Sequence, residues 1–317
     1  MTKPDKKRPR IETDPIGIRE LRGAIQKSGY PLEVELFHLF KDKGMATTLG
    51  TWLQIDDSPT AVAELDLVAY FRATTPLDGE KLTSYVTTVF AEVKRLHAPA
   101  QFVGILGEQP ASTTEALARA HYAGLPSFGH GVYPHAQPNV TGAIFTKAGA
   151  ICDTSEPLHG APTCPHWAIV RRNKKGNEWE AFAKGDPEFY RDMQKLVAAR
   201  AYWSEKIAKI LLSKKGSPPA IQFIPLLLVV DTKKLFVYDP QDKTIRGVPR
   251  LVVQQTYQVG TRTCQAAIDV VIPSEVPAMI ERYHESFKVL GKRVKSWDAA
   301  MQMLVDTLRE KEARRVR

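Results

Sequence analysis

The sequence predicts an α/β domain with a mixed central sheet flanked by helices. Two stretches, 61–71 and 89–95, alternate apolar and polar residues with the period of two that is typical of strands. Two others, 31–43 and 187–213, have the longer apolar period of helices and begin at a proline. With 317 residues, 43% hydrophobic and 25% charged, the chain has the composition of a soluble globular protein with one large or two modest domains.

The first part of the chain divides into a tail and the beginning of this domain. Residues 1–14 are rich in lysine and arginine, so we expect a disordered basic arm that either tracks phosphates or is a solvated tail without a role. Residues 15–106 are expected to form the N-terminal part of the core. Its elements are a helix from residue 15, the helix 31–43 ended by Gly44, a strand at 47–55, a polar loop at 74–81, and the two strands described above.

Residues 107–168 interrupt this pattern and are rich in Pro, Gly, Ala and His, so we interpret them as an inserted loop or lid subdomain. Four of its side chains have the types that bind zinc, although their spacing matches no zinc module known to us: Cys152, His159, Cys164 and His166.

The remainder of the core is expected over residues 169–295, followed by an amphipathic helix and a basic tail at 296–317. The long helix 187–213 has an apolar stripe and a basic remainder that includes Lys195 and Arg200. The other predicted elements are a hairpin over 223–238 that completes the central sheet, strands at 251–259 and 266–272, and a helix from 273 to about 290.

Charged side chains stand on the two alternating strands at the centre of this prediction. Glu64 and Asp66 share one face of the first strand, and Glu92 and Lys94 share one face of the second. If the two strands are neighbours, Asp66, Glu92 and Lys94 converge.

Charges on apolar strands are costly to bury unless they are paired or hold a metal. Two carboxylates beside a lysine suit Mg²⁺, which prefers oxygen ligands and keeps waters for a phosphate and a nucleophile. A neighbouring ammonium would orient the attacking water and offset negative charge in the transition state. The alternative is a cross-strand ion pair between Glu92 and Lys94 on a solvated face, which would contribute little.

Asp66 followed by Glu92-Val93-Lys94 resembles the D…(D/E)xK signature of the PD-(D/E)xK nuclease superfamily, which has the restriction-endonuclease-like fold. A helix that carries Glu33 on its apolar face comes before the first strand, as it does in that superfamily. The resemblance covers residues 13–106. The alternative for Glu33 is a glutamate that interacts with the dipole at a helix N-terminus.

The resemblance implies a Mg²⁺ site at which Mn²⁺ would substitute. Lys94 would position or activate the water, and Glu33 would support the metal shell. The metal-binding set that the resemblance implies, with Glu64 as a secondary acid, is Asp66, Glu92, the Val93 carbonyl, Glu33 and Glu64.

The predicted function is metal-dependent hydrolysis of phosphodiester bonds in nucleic acid, with DNA as the first candidate. A net charge of +9 is compatible with such a partner. One alternative is a non-catalytic nucleic-acid-binding or scaffold protein that keeps the nuclease fold, and another is a zinc-dependent hydrolase built on the 152–166 cluster. The sequence leaves open DNA versus RNA, the strand preference, endonuclease versus exonuclease activity, the recognition sequence and the pathway.

The same patterns bear on partners and location. No G-x-x-x-x-G-K-[ST] motif is present, so ATP-driven translocation would need a partner protein with ATPase activity; a homodimer also stays open. No signal-peptide pattern or apolar run of membrane-spanning length is found, and three cysteines give no disulfide framework. We therefore expect a cytoplasmic protein without a membrane partner.

Overall fold

Helices flank two mixed β-sheets, so the protein belongs to the α/β class. The structure is a computed structural model that describes residues 17–54, 62–76, 82–96, 99–107, 161–173, 178–183, 187–213, 220–259 and 262–293. Within these ranges the helices are α1 (Ile18–Lys27), α2 (Tyr30–Asp42), α3 (Pro187–Ser213) and α4 (Val276–Arg293), and a short 3-10 helix, Pro273–Glu275, leads into α4. The helices predicted at 31–43, at 187–213 and from 273 are confirmed.

The strands of the described residues form one sheet of eight strands and one of five. The larger sheet runs in the order β1-β2-β3-β9-β13-β12-β5, with β8 paired to β3. Its strands are β1 (Ala46–Gln54), β2 (Val62–Pro76), β3 (Leu82–Arg95), β5 (Thr163–Cys164), β8 (Ala220–Phe223), β9 (Leu226–Asp231), β12 (Arg250–Val259) and β13 (Arg262–Val271). The sheet is mixed because β1, β2 and β3 are antiparallel whereas β9 lies parallel to both β3 and β13.

The smaller sheet has the order β11-β10-β4-β6-β7. Its strands are β4 (Gln101–Ile105), β6 (His166–Arg172), β7 (Trp179–Ala183), β10 (Leu235–Asp239) and β11 (Thr244–Val248). Only the pair β4 and β10 is parallel among the paired strands described in this sheet.

The main hydrophobic core lies between one face of the larger sheet, helix α3 and the smaller sheet. Phe90 and Leu228 of the larger sheet, Met193 of α3 and Phe102 of the smaller sheet are completely buried in it. Each such side chain contributes about 1.5–3 kcal/mol when it leaves water. This core therefore fixes α3 against β3, the strand that carries Glu92.

The opposite face of the larger sheet is covered by α4. The Tyr283 hydroxyl of α4 donates a hydrogen bond of 2.8 Å to Asp269 of β13, and the ring centroids of Phe71 and His284 are 4.7 Å apart. Both faces of the central strands are thus buried, which explains why β9 is apolar at nearly every position rather than alternating.

The hairpin predicted over 223–238 is wrong. Strand β9 belongs to the larger sheet, whereas β10 pairs with β4 and β11 in the smaller sheet. Both edges of β9 are already occupied by β3 and β13, so no edge remains at which β10 could pair. A tight turn, in which the Thr232 N–H donates to the Val230 carbonyl at 2.8 Å, redirects the chain to the second layer.

Three further expectations differ from the structure. The polar loop predicted at 74–81 begins inside β2, which extends to Pro76. The end of the predicted insertion 107–168 carries β5 and the start of β6, so residues 163–164 and 166–168 belong to the two sheets. Arg200, assigned to the basic remainder of the long helix, is buried in α3 with only 7% of its surface exposed.

Several predicted segments lie outside the described residues: the basic arm 1–14, most of the predicted insertion with Cys152 and His159, and the helix and tail at 296–317. Among the helices that the structure does describe, none combines the length and the apolar character that a membrane crossing requires.

Candidate functional site

The site is centred where β2 and β3 separate. Their antiparallel ladder begins at the pair Leu67 and Ala91, one residue beyond the acids that the sequence singled out. At the next position, side chains take the place of ladder bonds: the Asp66 N–H donates to Glu92 Oε1 at 3.3 Å, and the Val93 N–H donates to Asp66 Oδ2 at 2.8 Å. Each carboxylate is thus held by the backbone of the opposite strand, and the predicted convergence of the two acids is confirmed.

Strand β1 has a glycine, and therefore no side chain, beside this point. Gly50 lies between Leu49 and Thr51, whose partners on β2 flank Asp66. Its φ of +56° is a left-handed conformation that side chains disfavour, and a Cβ there would lie 2.9 Å from Glu64 Oε1. The exposed Glu64 carboxylate therefore lies against Gly50 of β1 rather than alongside Asp66 on β2.

Helix α3 supplies three charged residues that sequence reasoning did not place at the site. Lys195 Nζ lies 2.6 Å from Glu92 Oε2, and Asp192 Oδ2 lies 2.8 Å from Lys94 Nζ. Glu188 Oε2 is 3.4 Å from the same Lys94 ammonium. The spacing of four and three residues along a helix, which puts 188, 192 and 195 on one face, was the signal available in the sequence.

These contacts contradict the alternative of a solvated Glu92–Lys94 pair. Glu92 is only 2% exposed, and each of the two residues pairs with α3 rather than with the other. Lys94 also lies over the Phe189 ring, 6.0 Å from its centroid. Burial lowers the pKa of Lys94, but the hydrogen bonds and charges of Asp192 and Glu188 outweigh burial and leave that pKa raised. Lys94 is therefore a firmly protonated cation at neutral pH.

The two central carboxylates are electrostatically unfavourable as anions. Burial is the main cause that raises the pKa of Glu92 well above its ordinary value, and the charge of Asp66 adds to it while Lys195 opposes it. Burial likewise raises the pKa of Asp66, against the Val93 N–H and Lys195. Burial and mutual repulsion thus disfavour the charged forms of both acids, and positive charge beside them offsets that cost.

Glu33 approaches this group from α2. Burial first, and then the charges of Asp66 and Glu64, raise its pKa, while Lys195 opposes the rise. It lies in the first turn of α2, and its Oε1 would be 3.3 Å from a Cβ on Gly29. Both interpretations of Glu33 therefore have structural support, since it faces the acids and also sits at the helix N-terminus.

Carboxylate oxygens are the donors that Mg²⁺ prefers, so Asp66, Glu92 and Glu33 fit a divalent cation in donor type and in charge. In the described part of the chain, however, no three His, Cys, Asp or Glu side chains are gathered closely enough to hold a metal ion as they stand. The Glu92 carboxylate is paired instead with the Lys195 ammonium.

The two described members of the cysteine and histidine cluster lie in different surroundings. Cys164 is completely buried in β5, and burial raises the pKa of its thiol to about 12. His166 is exposed at the start of β6, in the other sheet. Cys164 and His166 thus lie on strands of different sheets, and Cys152 and His159 lie outside the described residues.

The structure brings together Asp66, Glu92 and Lys94, places Glu33 and Glu64 beside them, and adds Glu188, Asp192 and Lys195.

Comparison of the chain with protein-family models, curated proteins and solved structures gave no match.

Proposed function

We propose that the protein is a metal-dependent nuclease that hydrolyses phosphodiester bonds of nucleic acid, with DNA as the expected substrate. One observation carries the proposal: β2 and β3 part at Asp66 and Glu92, each acid is held by the other strand, and Lys94 lies two residues further on. The helix-strand-strand-strand order around these acids supports a restriction-endonuclease-like core with the PD-(D/E)xK arrangement.

Asp66 and Glu92 would hold Mg²⁺ together with the Val93 carbonyl, and Glu33 would support them from α2. The ion, when bound, supplies a Lewis acid for the phosphate and lowers the pKa of a bound water. The backbone bonds to Asp66 and Glu92 fix the carboxylates before substrate arrives, and such preorganisation is what electrostatic catalysis requires.

Lys94 would orient the attacking water and stabilise negative charge on the phosphate in the transition state. Its raised pKa, caused by Asp192 and Glu188 against the effect of burial, favours these roles over removal of a proton from the water. Asp192 and Glu188 would act as positioning residues, since they hold the ammonium from the side of α3.

A polymer can reach these residues across the outer strands of the sheet. Thr48, Gly50, Trp52 and Tyr70 are exposed on β1 and β2, beside the half-buried Asp66. The net charge of +9 favours a polyanion, and affinity that depends on lysine and arginine contacts to phosphates should fall steeply with salt.

Cleavage of supercoiled plasmid, linear duplex and single-stranded DNA tests the proposal, each with Mg²⁺, Mn²⁺ or a chelator. The wild-type protein should cut only when Mg²⁺ or Mn²⁺ is present. Lys94→Ala should lower the cleavage rate by about 10²–10³-fold, which is the usual effect of removing one group that stabilises transition-state charge. Lys41→Ala, which removes an exposed lysine at the far end of α2, should cut normally. Cleavage that survives the double change Asp66→Ala and Lys94→Ala would refute this function.

A second candidate is a non-catalytic nucleic-acid-binding or scaffold protein with the same fold. It is favoured by the ion pairs that α3 makes with both Glu92 and Lys94, because closed pairs of this kind also serve a purely structural role. That candidate predicts DNA binding without cleavage, and binding that a chelator leaves unchanged.

A further inference from the structure

Both oxygens of the Glu92 carboxylate are engaged. Oε1 accepts the Asp66 N–H at 3.3 Å, and Oε2 lies 2.6 Å from the Lys195 ammonium. Because the Glu92 side chain is only 3% exposed, an incoming cation has to change this arrangement in order to reach the carboxylate. A cation that binds Oε2 meets the Lys195 ammonium, a like charge 2.6 Å from that oxygen, and is repelled by it unless Lys195 moves away.

We propose that Lys195 is a built-in counter-ion of Glu92 that a divalent cation must displace in order to bind there. The inference rests on the proposed function, because it assumes that Glu92 is a metal ligand. Lys195 would thereby set the metal concentration at which the site fills.

The surroundings of Lys195 provide for its displacement. Its side chain is 21% exposed, so the ammonium has a route toward solvent that Glu92 lacks. Asp192 lies one turn earlier on α3, with Oδ1 4.0 Å from the Lys195 ammonium and Oδ2 2.8 Å from that of Lys94. A released Lys195 therefore has a second carboxylate within reach without any movement of the helix.

The size of the effect follows from the fraction of molecules in which Glu92 is free. An apparent dissociation constant equals the intrinsic constant divided by the binding-competent fraction, so a pair open in about one molecule in ten weakens binding about tenfold. Removal of the lysine also removes a like charge next to the incoming ion. Lys195→Met should therefore tighten metal binding by about tenfold or more.

The test is calorimetric titration of the full chain with Mn²⁺ at constant ionic strength, with Mn²⁺ electron paramagnetic resonance as a second readout. Lys195→Met should bind Mn²⁺ about tenfold more tightly than wild type does. Arg191→Met removes the same charge from an exposed position on the same helix and should change affinity less than twofold or so.

Two further measurements distinguish a change in Mn²⁺ affinity from a failure of Lys195→Met to fold. Lys195→Gln keeps a hydrogen-bond donor near Glu92 without the charge and should also bind Mn²⁺ more tightly than wild type. Thermal melts in chelator and in saturating Mn²⁺ should show a larger metal-dependent stabilisation for Lys195→Met than for wild type, because only the variant lacks a cation at Glu92.

Equal or weaker Mn²⁺ binding by both lysine variants would overturn the inference, as would a Lys195→Met protein that stays unfolded in saturating Mn²⁺. Glu92→Gln separates this failure from failure of the proposed function. If Glu92→Gln abolishes Mn²⁺ binding while the lysine variants bind no more tightly than wild type, only the counter-ion role of Lys195 is refuted. If Glu92→Gln leaves Mn²⁺ binding unchanged, Glu92 is not a metal ligand and both are refuted.

Discussion

The contact between Lys94 and Asp192 permits a quantitative test of how α3 positions the site. The perturbation is a double-mutant cycle of Lys94→Met and Asp192→Asn, which removes each charge alone and then both. At 2.8 Å and an effective dielectric constant of about 20, the two charges attract by about 6 kcal/mol before the cost of desolvation. Desolvation and ordering offset most of this attraction, so the expected coupling free energy is about 1–3 kcal/mol.

Glu188 reduces the coupling that the cycle reports. Its carboxylate is 3.4 Å from Lys94, and it can partly replace Asp192 when the aspartate is neutralised. Because its side chain is 65% exposed, water screens it, and we expect it to contribute only about 0.2–1 kcal/mol. Repeating the cycle in a Glu188→Gln background should therefore raise the measured coupling by that amount.

The assay is urea unfolding of the four proteins at neutral pH, with the free energy of unfolding extrapolated to zero denaturant. The contact between Asp192 and Lys195 is lost in both arms of the cycle and so cancels. A coupling free energy below about 0.5 kcal/mol, within the error of additive behaviour, would refute the conclusion that Asp192 holds Lys94.

Three other predictions concern pH and packing. Burial and the charge of Asp66 raise the pKa of Glu92 in the folded state above its ordinary 4.5. The folded state therefore binds this proton more tightly than the unfolded state does. The resulting stabilisation is fully present below pH 4.5 and is lost as pH rises through the folded-state pKa. Glu92→Gln should therefore flatten the fall of the urea midpoint above pH 4.5, whereas parallel curves would contradict this. Gly50→Ala should cost about 1–2 kcal/mol because φ is +56° there, and an unchanged melting temperature would argue against it. Gly104→Ala places a Cβ 2.6 Å from Cys164 Sγ and should lower the free energy of unfolding by about 1–3 kcal/mol. Cys164→Ala should restore part of that loss. An equal loss with Cys164 and with Ala at position 164 would exclude this overpacking.

The local elements could be predicted because their signals are local. The helix predicted at 187–213 matches α3 residue for residue, since a proline opens it and Lys-Lys-Gly at 214–216 follows its end in the sequence. The strands predicted at 251–259 and 266–272 likewise match β12 and β13, and the structure pairs them antiparallel. In the same way, a period of two was sufficient to place Glu64 and Asp66 on one face of β2, and Glu92 and Lys94 on one face of β3.

The pairing of strands across layers could not be predicted in the same way. Strands β9 and β10 are separated by only three residues, Thr232 to Lys234, and each is apolar, yet they belong to different sheets. A hydrophobic pattern reports how much of a strand is buried, but it does not report which edges its neighbours have already occupied.

The sequence by itself therefore determined which residues are acids and lysines on a shared strand face, and where the long helix begins and ends. Only the tertiary structure decided how their charges are neutralised. Lys195 and Glu92 are joined by an ion pair of 2.6 Å although about a hundred residues of chain separate them, and Lys94 is joined in the same way to Asp192. The physical reason is that a helical pattern specifies the face on which a charge lies, whereas its partner is set by the packing of α3 against β3, which depends on the whole core.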